Sequence, residues 1–199
     1  MLRRLMMAGD GAIVAYTTLN PSDKSVLVGL SGGDLIASAL APSAGFARSI
    51  KPMTTPSYFE GIFTAGAGAG ASHAIGIATA TANTAGAMAY STSDAWALWG
   101  PSDGVRSGGV IAFGAPTPTG SVVGIACDPS AGKMWLRLNG GPWFGGGDPT
   151  AGTSPTYSGL TGTLYAGACP WGSGHVIAMR FDPASFSNPS PSGFSPILA

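Results

Sequence analysis

Charge is the scarcest property of this sequence. Only 9% of its 199 residues are Asp, Glu, Lys or Arg, and nine basic side chains cancel nine acidic ones. An average soluble domain carries roughly 25%. With no net field, the chain has no electrostatic hold on nucleic acid or an acidic membrane, so neither is expected as a partner. So bare a surface suits a protein packed against copies of itself or other subunits. Histidine is limited to His73 and His175, glutamate to Glu60, and cysteine to Cys127 and Cys169. No His/Cys/Asp cluster has metal-ligand spacing and there is no CxxC, so no metal, no cofactor and no catalytic residue is expected. Long apolar runs are missing too: nothing approaches the ~18 residues of a membrane span. Arg3 and Arg4 precede only Leu5 to Ala8 before Gly9-Asp10, too short a run for a secretory signal. The protein is expected to be made and kept in a cytoplasm, or assembled there into something larger. Helical periodicity between caps is also lacking.

What remains is a chain of strands and turns. Gly (32) and Pro (16) accompany a 45% hydrophobic fraction that alternates in several segments, which argues for turns between short strands and against disorder. Ser25 to Leu30 and Asp34 to Ala39 flank Ser31-Gly32-Gly33 as a hairpin. Ser57 to Thr64 reads as a longer strand, its aromatic residues suited to a pleated surface. His73 to Thr79 and Ala87 to Ser91 follow as shorter ones. Ser121 to Asp128, a turn at Pro129 to Gly132, and Lys133 to Leu138 make the clearest hairpin, ending in a tight turn at Asn139-Gly140. Pro142 to Pro155 reads as a loop, Leu164 to Cys169 and His175 to Phe181 as the last strands. The division expected is an N-terminal arm (1–15), an all-β antiparallel two-sheet sandwich (16–182) and a Ser/Pro-rich extended tail (183–199).

Few residues offer chemistry. Gly66 to Ala71 formally matches a GxGxxA dinucleotide loop, but Ile75-Gly76-Ile77 alternates like a strand where a helix should begin. Gly132-Lys133 lacks the rest of a P-loop. For a glycosidase carboxylate pair, Glu60 is the one glutamate and lies on a strand, while Asp94, Asp103 and Asp148 lie in loops and could pair, although loop aspartates more often brace turns. Both cysteines sit among small apolar residues and read as buried thiols, although a disulfide stays open. The aromatic residues say more. Tyr90, Asp94, Trp96 and Trp99 fall in one loop-like stretch, Trp143, Phe144 and Asp148 in a second, and Trp171 in the turn Pro170-Trp171-Gly172. Loop tryptophans stack on sugars, anchor interfaces or plug the ends of a sandwich, and these eight residues are the candidate ligand-binding set. Trp135, on a strand between Met134 and Leu136, reads as structural.

Several segments resemble the SPRY-like domains found in bacteriophage proteins. These are Asn20 to Ser25 with Val28 to Ser31, Tyr58-Phe59-Glu60, Ile75 to Ala78, and Ala89-Tyr90. The run Gly120 to Asp128 with Ala131 to Trp135 and Asn139-Gly140 is the most specific. Gly146 to Pro149 with Gly152-Thr153, and Thr161 to Tyr165, extend the likeness over residues 16 to 182. It implies a concanavalin-like jelly roll that binds a partner through loops at one end, here 92–107, 142–156 and 170–174. On this resemblance the expected role is a non-enzymatic virion component, a tail fibre, adhesin or head-surface protein, in a homo-oligomer or larger assembly. Its partners would be other virion proteins, a host-surface glycan or a host-surface protein. An intracellular SPRY-type protein-interaction module is the alternative, and a glycoside hydrolase the third reading.

Overall fold

A computed structural model describes residues 6–7, 13–66, 72–88, 94–100, 104–107, 110–113 and 117–199. In chain order the strands are β1 (Met6–Met7), β2 (Ile13–Val14), β3 (Leu19–Lys24), β4 (Val28–Ser31), β5 (Ile36–Ala39), β6 (Ala47–Ser49), β7 (Ser57–Ala65) and β8 (Ser72–Thr79). Then come β9 (Ala95–Gly100), β10 (Gly104–Ser107), β11 (Val110–Phe113), β12 (Val122–Asp128), β13 (Lys133–Leu138), β14 (Tyr157–Ser158), β15 (Leu164–Trp171) and β16 (Val176–Arg180). The first sheet runs β11-β10-β9-β8-β15-β6-β3 and the second β14-β13-β12-β7-β16-β5-β4, with β1-β2 as a separate ribbon. The strands pair antiparallel within both sheets. This is the two-sheet sandwich that the alternating segments predict.

The core between the sheets follows from period-2 alternation. Along β7, Phe59 and Phe63 point inward, while Tyr58 and Glu60 point to the outer face. From the second sheet Val123, Ile125, Met134, Leu136, Ile177 and Met179 meet Ile75, Ile77, Leu98, Leu164 and Ala166 of the first. Gly61 is a fitted notch, since a Cβ there would stand 2.8 Å from two carbons of Ile75 on the facing sheet. The hairpin turns lie where the sequence puts them to within two residues, Asp34 and Leu35 belonging to the first turn and not to the strand. Gly32, Gly33 and Asp34 turn β4 into β5 at φ 62, 72 and 64°, and Asn139 and Gly140 follow β13 at 52 and 69°.

The first sheet has a second core on its outer face. There Ala74, Ala78, Ala95 and Ala97 make a flat floor that Phe46, Ala82, Ala87 and Met88 cover. Large side chains would push that cover away, which explains the Ala-rich composition. Arg48 pins the cover. It grips the Asp23 carboxylate with Nε and Nη2 at 2.8 and 2.7 Å, and donates through Nη1 to the carbonyls of Thr79 (2.6 Å) and Ala82 (2.8 Å).

Two readings need correction. Ala87 and Met88 are not part of a strand but of the covering segment, where the thioether of Met88 fills the space above Gly167; Ala89 to Ser91 lie outside the described residues. The stretch 92–107, expected to be a loop, contains β9 and β10. Turn-forming neighbours hid a strand whose small outward residues (Ala95, Ala97) alternate with large inward ones (Trp96, Leu98). Cys127 and Cys169 are free and buried, Cys127 between the sheets and Cys169 in the outer core, so the open disulfide question resolves to two thiols. Burial raises both thiol pKa values, that of Cys169 to about 11.

Arg48→Lys removes the fork that reaches a carboxylate and two carbonyls together, and an ammonium cannot replace it. Urea denaturation is expected to show a loss of about 2–4 kcal/mol, against less than about 0.5 kcal/mol for Val26→Ser at an exposed site. Equal midpoints for Arg48→Lys and the parent chain would contradict this role.

Candidate functional site

The outer face of the second sheet carries the richest side-chain chemistry. Alternation on β7, β12 and β13 places Tyr58, Glu60, Ala126, Trp135 and Arg137 on that face. They form a trough, because small residues sit between large ones: a Cβ on Gly124 would meet the Tyr58 hydroxyl at 2.7 Å and Arg137 Nε at 3.0 Å. The loop after β13 folds back to wall one side. Trp143 bridges to Arg137, and Trp135 Nε1 donates to the Thr153 carbonyl at 2.8 Å. The Arg137 guanidinium lies 5.3 Å from the ring centre of Tyr58 and 4.6 Å from that of Trp143.

The Ser/Pro-rich segment 183–199 lies in this trough. Glu60, wholly shielded from solvent, accepts from the backbone N–H groups of Ser187 (2.6 Å) and Asn188 (3.0 Å) and from the Asn188 amide (3.1 Å). The Tyr58 hydroxyl (2.9 Å) and Arg180 (3.4 Å) complete its shell. Arg137 Nη2 donates to the Pro189 carbonyl at 2.6 Å and to the Tyr58 hydroxyl at 2.9 Å. Phe186 stands edge-on to Tyr58 at 5.2 Å, and Phe194 edge-on to Trp135 at 6.0 Å. Tyr58 N–H then donates to Ser195 O at 2.8 Å, and Ser195 N–H to Pro56 O at 3.0 Å. Burial raises the Tyr58 pKa far above its ordinary value, although the Arg137 hydrogen bond pulls it down; nearby Glu60 raises it further. The phenol therefore stays protonated and keeps donating. Past Phe194, a cavity of about 290 Å³ remains between the trough and the 149–152 loop, lined by Asp128, Lys133, Trp135, Thr150 and Ser192 among others.

The sequence-predicted residues do not converge on one site. Trp143 walls the trough. Trp171 and Trp99 meet edge-on at 5.6 Å on the first sheet's outer face, across the sandwich from it. Trp99 is fully buried and donates to the Met88 carbonyl, whereas Trp171 is part-exposed. Trp96 and Phe144 pack against the inter-sheet core, and Asp94 is exposed beside β9. Asp148 braces its own turn by accepting from Ala151 N–H at 3.1 Å. Tyr90 lies outside the described residues. Sequence reading missed Tyr58, Glu60, Trp135 and Arg137 as a group. The available signal was Glu60 itself, a charge placed in an aromatic strand.

No family model matches the sequence, and no curated protein does. Solved structures do match. The SPRY domain of human HERC1 superposes with a TM-score of 0.66 at 12% identity, over 81% of this chain and 96% of that one. The fold is the SPRY sandwich. The TRIM65 PSpry domain (TM-score 0.59, 13% identity, 84% and 93% covered) and a human SPRY domain (0.54, 15%, 77% and 94%) agree. These likenesses extend to the SPRY fold and give no support to a specifically bacteriophage type.

At the far end of the SPRY sandwich His73 is buried, its ring 3.9 Å from Phe63 and 5.5 Å from His175. Neither of its nitrogens has a hydrogen-bond partner among the described residues. Burial first, and then the charge of His175, lowers its pKa to about 4. Below the unfolded value near 6.5 the unfolded chain binds the proton that the folded chain refuses. Stability is therefore full above pH 6.5 and falls as the pH drops towards 4, by about 3 kcal/mol in all. Among the described residues His175 is the titratable group facing it. His73→Leu is expected to flatten denaturation free energy between pH 6.5 and 4.5; an unchanged slope would place the acid sensitivity elsewhere.

Proposed function

We propose that this chain is a non-enzymatic protein-interaction module of the SPRY type, and that the trough on its second sheet receives an extended, proline-containing peptide. The observation that carries this reading is how segment 186–195 is held. Two successive backbone N–H groups meet a buried carboxylate, a carbonyl meets an arginine, and two phenylalanines sit against aromatic walls. Backbone contacts supply affinity and side-chain pockets supply selectivity, as in other extended-peptide recognition. The SPRY fold supports the same class of role. A partner enters by displacing the resident segment or by adding contacts in the cavity beyond Phe194. Among the described residues no three His, Cys, Asp or Glu side chains gather for a metal ion, and Glu60 is engaged by donors on every side.

A virion component is the second reading, favoured by the 9% charge, which suits a surface packed against other subunits. Light scattering coupled to size exclusion separates the two, since a closed trimer or larger oligomer favours the virion role.

The experiment uses the full chain with its segment loosened by Phe186→Ala and Asn188→Ala, and a fluorescent peptide of residues 183–199. Binding in the micromolar range is expected, weakened at least about tenfold by adding Arg137→Met or Trp143→Ala. The unmodified chain, blocked in cis, is expected to bind the peptide poorly. No binding to the loosened chain, with its unfolding transition intact, would rule the reading out.

A further inference from the structure

We infer that the trough is also filled in trans, by the 186–198 segment of a second copy of this chain, so that two copies exchange segments and complete each other's sites. This rests on the trough being a peptide site, and names its partner.

Three observations carry it. The first is that, apart from the Arg180 guanidinium on the Ser187 hydroxyl, the segment's docking contacts are with residues remote in sequence. Ser187 and Asn188 reach Glu60 across more than 120 positions, Pro189 reaches Arg137, and Ser195 reaches Tyr58. The N–H of Thr17 then bonds Ile197 O (3.0 Å), and that of Ala199 bonds Ala15 O (2.9 Å). Every one of these contacts is preserved when the segment comes from another copy.

The second is the connection to the body, which is thin. After β16, the 3-10 turn Pro183–Ser185 is capped by the Asp182 carboxylate, which accepts from Ala184 N–H at 2.9 Å. Ser185 N–H to Asp182 O (2.8 Å) and Phe186 N–H to Pro183 O (3.2 Å) close it. Its three residues are exposed and bury no apolar surface. Opening that turn gives up these few local bonds and yields a four-residue link (182–185) between Phe181, fixed in the core, and the docked Phe186, which spans about 14 Å when extended. Little opposes exchange except the loss of freedom on association, which concentration offsets.

The third is the chemistry of the moving segment and the surface. Pro189, Pro191 and Pro196 restrict the segment outside the trough as well as in it, where it runs extended on either side of one turn (Phe194 N–H to Pro191 O, 3.1 Å; Gly193 φ 86°), so docking in trans orders little more than docking in cis. With 9% charged residues and no net charge, two copies meet without electrostatic repulsion.

The test is complementation between full-length chains. One carries a damaged trough (Glu60→Gln with Arg137→Met) and an intact segment. The other carries a damaged segment (Phe186→Ala with Asn188→Ala) and an intact trough. Each alone is expected to run as a monomer. Refolded together from urea at high concentration, they are expected to give a species of twice the mass that the free 183–199 peptide dissociates. Only monomers in the mixture, with both chains unfolding cooperatively, would overturn the exchange. If the double variants do not fold, unmodified chains labelled through Val26→Cys, an exposed position, serve instead. Energy transfer between donor and acceptor copies after co-refolding is the expected result, and its absence overturns the inference. Peptide binding without exchange sinks this inference and leaves the peptide site standing. Failure of peptide binding removes both.

Discussion

The carboxylate of Glu60 has no access to water, so its charge must be met entirely by the protein. A buried, unpaired carboxylate costs several kcal/mol. The sandwich alone supplies Arg180 at 3.4 Å and the Tyr58 hydroxyl at 2.9 Å. The remaining donors are the backbone of Ser187 and Asn188 and the Asn188 side chain. The central strand of the second sheet therefore depends on a segment about 127 residues further along the chain. Much else follows. Arg137 can stack between Tyr58 and Trp143 because its donors reach Tyr58 and Pro189, and Phe186 and Phe194 complete the aromatic walls.

The two outer faces of the sandwich solve the same problem differently. Each sheet buries one face against the other, and here each outer face also carries apolar side chains that need cover. The first sheet uses an alanine floor and a covering segment pinned by Arg48, a closed apolar arrangement with its polar groups at the margin. The second uses a trough of aromatics and charges with segment 186–195 laid in it, extended but for one turn at Pro191–Phe194. A cover held by hydrogen bonds and edge-on rings exchanges for a similar peptide more readily than one held by interdigitated side chains. That difference is the reason the proposed peptide site is placed on the second face.

Much of the fold was legible in the residues. The hairpins around Gly32-Gly33 and Asn139-Gly140 were readable because turn chemistry is local: those positions need φ > 0 and are occupied by Gly, Asn and Asp. The Tyr58 and Val122 strands were readable because alternation is local as well. The SPRY-like motifs summarised both. Strand β9 was obscured because Asp94 and the Pro101-Ser102-Asp103 run signal turns on either side of it. Trp96 and Trp99, taken for loop residues, are strand neighbours pointing to opposite faces.

By itself the sequence determined the all-β class, the positions of the best turns and the small apolar surroundings of Cys127 and Cys169, leaving their pairing open. Each of these depends on a residue and its near neighbours. Which aromatic residues share a surface was decided only by tertiary structure. Trp143 and Trp135 join Tyr58, while Trp99 and Trp171 stand across the sandwich, because strand order rather than chain order sets neighbours. The role of the Ser/Pro-rich segment was decided there too. Its few apolar residues look like a tail until Glu60, Arg137, Tyr58 and Trp135 are brought side by side, and only the sheet does that.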